Sequence, residues 1–217
     1  MRYFTYIIKQ ADKCLVFILF SSVLIVNALI LNKVIISDTI YFNTYSDLLE
    51  PGRISELINN RSKYEWIGYL LIPALLLVKL FFITLSIEIG LILKEYKLSV
   101  KQIFHVVLMA ESVFIIGQMI RIITLFLFDL NTLVDIYNYY PLSILNLVNT
   151  GSIDTWLIYP LKLANVFTIT YFFVLAYGLS LVLKSRPVRM LYFSISTYGL
   201  CLLIWIMLIM FLNVYFS

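Results

Sequence analysis

Apolar residues run along this chain in five long blocks, at about 14–32, 66–93, 103–128, 156–183 and 191–215, with short polar stretches between them. Each block comes near or exceeds the roughly 20 apolar residues that a helix needs to cross the hydrocarbon layer of a bilayer. Backbone groups in that layer must be satisfied within their own segment, which a helix achieves. The pattern predicts an all-α, single-domain polytopic membrane protein with five transmembrane helices. Residues 33–65 form the longest polar segment. There Ser46-Asp47 is placed to cap a short helix that Pro51-Gly52 breaks, and Ile54, Leu57 and Ile58 share one face. A short amphipathic helix on the membrane surface and a solvated loop with a turn or two of helix both fit that face. Residues 139–148 are aromatic, then apolar for less than a crossing, as in a re-entrant or interfacial helix starting near Pro141. Pro73 and Pro160 stand near the starts of the second and fourth blocks, where a first turn or a bend accommodates them.

Composition agrees with the pattern. The 217 residues are 62% apolar and 13% charged, against about 45–50% and about 25% for a soluble domain. Arg2, Lys9 and Lys13 precede the first block like the start of a signal peptide. The apolar run is longer than a signal core and lacks a small-residue cleavage site, so the expectation is an uncleaved first helix. Basic residues gather in the N-terminus, in the 94–101 link and in the 184–189 turn, while 129–154 and the C-terminus have none. Residues 33–65 are mixed, four basic against five acidic. The positive-inside rule then orients the chain with its N-terminus inside and C-terminus outside.

Four charges interrupt the second and third blocks: Lys79, Glu88, Glu111 and Arg121. Each costs about 2.5–3.5 kcal/mol at mid-membrane unless it finds a partner or water. At 1.5 Å per residue, Glu88 and Glu111 lie about 8 and 12 Å from the inner boundary, and Lys79 and Arg121 about 20–25 Å from it. By depth, the hairpin sets acid beside acid and base beside base. Glu111, Gln118 and Arg121 share one side of the third helix, whereas Lys79 and Glu88 face opposite ways. Three readings fit: a polar path in which Glu111 or Glu88 exchanges a proton or binds a cation; a structural role, with Glu111 meeting a base from a neighbouring helix and Lys79 or Arg121 reaching for headgroups; or charges held for a second protein. Lys162, Asn165, Thr168 and Tyr171 add a polar edge to the fourth block. Ser194, Thr197, Tyr198, Cys201 and Trp205 add one to the fifth, as expected of close helix packing.

Candidate chemistry is sparse. His105, expected at the inner boundary in contact with water, is the single histidine, which rules out the H-E-x-x-H arrangement of a zinc protease. Cys14 and Cys201 stand far apart, no phosphate-binding glycine loop occurs, and Ser86 is too far along its helix from Lys79 to be activated by it. The chain is therefore expected to be no enzyme and to need no cofactor or metal. Its net charge of +4 is spread over short loops, so nucleic acid is not expected as a partner. The expected partners are the lipid bilayer and either another membrane protein or a second copy of itself.

The run Pro141-Leu-Ser-Ile-Leu-Asn-Leu, then Trp156-Leu-Ile-Tyr-Pro-Leu and Ser196-Thr-Tyr-Gly-Leu, in a five-span frame with a short polar link after the second span, resembles Yip1-like small membrane proteins of Bacteroidota bacteria. The likeness covers roughly residues 60–215. It implies a membrane-embedded organiser or accessory subunit of a bacterial inner membrane. The alternative expectation is a small ion- or proton-coupled transporter with Glu111 as coupling carboxylate.

Overall fold

The computed structural model describes residues 12–128, 131–148 and 153–216. The basic residues Arg2 and Lys9, and the signal-like reading of the first residues, lie outside them. Helix is the regular structure of the described chain, and five helices are long and apolar enough to cross a membrane. The first span is α1 (Lys13–Ile30), capped by the Asp12 carboxylate and continued by a π-helical turn, Leu31–Ile35. A short helix, α2 (Asp38–Tyr45), follows.

The second span is part of α3 (Pro51–Leu93), a helix of 43 residues. Pro51 starts this helix, where the expectation had a break. Proline at the first helical position gives up no internal hydrogen bond and brings the required φ. Ile54, Leu57 and Ile58 thus belong to the long helix, of which Ile54 is buried and Leu57 exposed. At 1.5 Å per residue α3 is about 65 Å long, twice the hydrocarbon thickness of about 30 Å. Its charged first third, through Glu65, therefore projects beyond the apolar part. Pro73 lies in its interior.

The third span joins α4 (Val100–Ala110) and α5 (Ser112–Leu127) through a single turn residue, Glu111. Beyond it come α6 (Leu133–Asn138), a 3-10 turn at Ile144–Leu147, and α7 (Thr155–Leu163). The fourth span is α8 (Val166–Leu183). The fifth comprises α9 (Pro187–Ser194), a π-helical turn at Ile195–Gly199, and α10 (Leu200–Phe216).

The third span is the centre of the bundle: half of its most apolar window is buried, against none of the fifth's. Phe114 packs against Tyr171, the rings tilted by 30° with centroids 4.7 Å apart. A Cβ at Gly178 would stand 2.6 Å from Val106, and one at Gly117 3.0 Å from Phe167. Residue numbers rise on one helix as they fall on the other, so the two spans are antiparallel. Thr197 approaches Gly90 so closely that a Cβ there would lie 2.1 Å from its methyl. That is the close packing expected of the hydroxyl-bearing face of the fifth span, and Ser194 and Tyr198 are buried with it. The Lys13 ammonium donates to the Lys101 carbonyl at 2.9 Å. Lys13, the 94–99 link and the 184–186 turn thus share one end, the basic end.

The opposite end has its own small core of Ile36, Tyr41, Ile54, Leu125, Leu133 and Ile136. It is tied by the Lys33–Glu65 ion pair at 2.6 Å, by Arg61 donating to Asn32 at 2.8 Å and by Arg61 over the Tyr41 ring. Burial raises the Tyr41 pKa above its ordinary 10.

Candidate functional site

Charge at membrane depth is resolved in two different ways. The first is an ion pair. Lys79, on α3, donates to Glu111 Oε1 at 2.5 Å, and its ammonium also lies 4.1 Å from the centre of the Phe114 ring. The Glu111 side chain is 4% exposed, that of Lys79 41%. This overturns the expected pairing of acid beside acid and base beside base. The third helix starts at Val100, three residues earlier than expected, which moves Glu111 about 4.5 Å further along. The lysine stem spans what remains. Of the alternatives held open, a base from a neighbouring helix is the geometry found.

Phe114 continues into an aromatic chain through Tyr171 and Tyr198. Glu111 Oε2 and the Tyr171 hydroxyl are buried without a hydrogen-bond partner among the described residues.

The second way uses main-chain carbonyls. Arg121 donates through Nε to the Tyr139 carbonyl at 3.0 Å and through a terminal nitrogen to that of Ile136 at 2.8 Å. Lys162 donates to the Tyr137 carbonyl. Two cations thus hold the last turn of α6, where carbonyls lack helical partners and the helix dipole is negative. Lys162 lies outside the five spans. Burial and then the charge of Arg121 lower its pKa from 10.5 to about 8.

The expected fourth span of 156–183 is interrupted at Ala164 and Asn165. Asn165 caps α8, accepting from the Thr168 amide at 2.8 Å, and its side-chain amide donates to the Lys162 carbonyl. The freed main-chain groups pair with the 142–144 strip: Ile144 N–H donates to the Ala164 carbonyl at 3.0 Å, and Val166 N–H to that of Leu142 at 3.3 Å. The 139–148 segment is therefore a 3-10 turn docked on a helix break, entered through Leu142 at φ 56°, and not an α-helix from Pro141. Pro160 sits inside α7, and the break falls four residues after it.

The remaining expected residues stay apart from both groups. Gln118 is half-buried and makes no hydrogen bond among the described residues, so Glu111, Gln118 and Arg121 share a helix without sharing a path. Glu88 is half-buried on the flank of α3, with no ion pair or hydrogen bond among the described residues. His105 is buried, which corrects the expectation of a water-facing histidine, because α4 turns that position towards the bundle.

A cleft of about 360 Å³ opens beside Lys162, between Asn138 at the end of α6, Thr155 and Tyr159 on α7, and Asn213 on α10. Sequence reasoning missed it. Asn213 was the one visible signal, a lone amide in an otherwise apolar last helix. Tyr159 accepts from the Trp205 indole at 2.8 Å. Among the described residues no cluster of metal-ligating side chains occurs.

Searches with this chain found no matching protein-family model, no matching curated protein and no matching solved structure. What fold and site define is a chain that is all-helical among its described residues, with five helices long and apolar enough to cross a membrane, the build of a multi-pass membrane protein.

Proposed function

We infer that the chain is a non-enzymatic assembly, scaffold or accessory subunit of a membrane complex, and that Glu88 is its contact with a partner helix. Glu88 lies about 8 Å from the end of α3 by helical rise. It is the carboxylate of the second and third spans that no described residue meets. In lipid it carries a penalty that reaches roughly 2.5–3.5 kcal/mol at mid-membrane and is smaller near the boundary, and a basic side chain from a partner helix relieves it. By contrast, Lys79, Glu111 and Arg121 are engaged within the bundle. The positive-inside rule places the basic end in the cytoplasm, giving an N-terminus inside and a C-terminus outside, with α2 and α6 as short interfacial helices. A bacterial inner membrane and a Yip1-like organisation complete this reading.

Gentle purification of tagged protein from its native membrane, with mass spectrometry of what remains bound, tests it. The expected result is a stoichiometric membrane protein that accompanies wild type and is lost from Glu88→Gln. Wild type emerging alone and stable overturns it.

One observation favours a second reading. The unpartnered Glu111 Oε2 beside buried tyrosines suits a carboxylate that exchanges a proton, as in a small coupled transporter. Proton flux in proteoliposomes that disappears in Glu111→Gln supports that reading, and retained flux removes Glu111 from it.

A further inference from the structure

Arg121 and Lys162 bind neighbouring carbonyls in and just after one six-residue helix, and neither makes an ion pair with a carboxylate among the described residues. Of the described acids, the nearest in sequence do not answer them. Asp135 accepts from the Thr132 hydroxyl at 2.6 Å, and Asp154 precedes α7 on the exposed surface. Three carbonyls offer only partial negative charge, so among the described residues two full positive charges share a partly buried place with an excess that a bound anion would cancel.

The cleft on the other side of Lys162 has the chemistry for that anion. Its polar lining is Lys162 with the Asn138 and Asn213 amides, Thr155 and the Tyr159 hydroxyl, and no acidic residue lines it among the described residues. The Tyr159 oxygen accepts from Trp205 and keeps its own proton to donate. Asn138 and Asn213 are half-buried and make no hydrogen bond among the described residues. Exposed Tyr137, next to Asn138, and exposed Tyr215, in the last turn with Asn213, flank the cleft, as aromatic side chains do at the headgroup layer. At about 360 Å³ the space exceeds a lone carboxylate.

We propose that this cleft binds an anionic phosphate group through Lys162, Tyr159 and the two asparagine amides, with Arg121 supplying the second positive charge from behind. The phosphate comes either from a lipid headgroup at the membrane surface or from a soluble phosphate ester. The site is independent of Glu88 and of the partner inferred from it.

Native mass spectrometry of the full chain in detergent, offered phosphatidylglycerol or phosphatidylcholine, reads the lipid arm. Thermal midpoints in inorganic phosphate against chloride at equal ionic strength read the soluble arm. Wild type is expected to prefer phosphatidylglycerol by about fivefold, the factor worth one cation at an anionic surface. Lys162→Gln and Asn213→Leu lose the preference, and Lys162→Arg keeps it. Asn213→Leu leaves the Lys162–Tyr137 bond untouched, so its loss is not a consequence of unpinning α6. Stabilisation by inorganic phosphate without lipid preference assigns the soluble source. The proposal falls if wild type shows neither effect, or if both survive in Lys162→Gln and Asn213→Leu.

Discussion

The middle of the bundle and its non-basic end hold positive charge by opposite means. In the interior, Lys79 meets a full carboxylate and an aromatic face. At the end, Arg121 and Lys162 meet carbonyls that a short helix leaves unsatisfied. A charge pair fixes two spans against each other, and its members depend on one another. Cations on carbonyls fix a loop, and each can be lost with a local effect. The interior pair is a matter of whole-bundle stability, and the end is where local structure and binding are adjusted.

The sharpest way to break this contrast is Lys79→Met. Removing the half-exposed lysine strands the buried Glu111, a loss of up to about 3–5 kcal/mol, the figure for a fully buried pair. Unfolding in detergent should show that loss, and adding Glu111→Gln should return most of it. If the double variant is no more stable than Lys79→Met alone, the pair is not the coupled unit described. Arg121→Gln removes two charge-assisted hydrogen bonds to carbonyls, each worth about 1.5–3 kcal/mol. Hydrogen exchange should rise across residues 131–148 while the core of α4 and α8 stays protected. Uniform deprotection of the bundle would erase the distinction between the two regions.

The smallest effect is one of pH. Lys162 titrates near 8 in the folded chain and near 10.5 when unfolded. Below pH 8 both states carry the proton and the burial penalty is present in full. From 8 upward the folded state gives up the proton first, so the unfolded state binds more protons and stability rises with pH. Above 10 the raised pKa of Tyr41 works in the other direction, which confines a clean reading to pH 8–10. Wild type should gain stability across that interval and Lys162→Gln should not. Superimposable profiles would contradict the burial ascribed to Lys162.

Helix content and the number of spans were legible because each depends on local composition. Eighteen or more apolar residues must be helical in lipid whatever they pack against. The close packing of the Thr197 face was legible for a similar reason, since small and hydroxyl side chains on one stripe suit near contact. The Lys79–Glu111 pair was misplaced because its depth was counted from a boundary three residues late, and sequence alone does not set the axial offset between two helices. The break at Asn165 was hidden inside an unbroken apolar block. Asn165 acts as a cap only because the 142–144 strip arrives to take up the freed carbonyl and amide of Ala164 and Val166.

By itself the sequence determined that this chain forms five helices long and apolar enough to cross a membrane, since unsatisfied backbone in lipid is too costly for any other local structure. It also determined which residues carry charge into that layer. Only the tertiary structure decided what each charge meets: a carboxylate for Lys79, three carbonyls for Arg121 and Lys162, and no described side chain for Glu88. Those partners lie 15 to 32 residues away, and the packing of helices, not the order of residues, brings them within hydrogen-bonding distance.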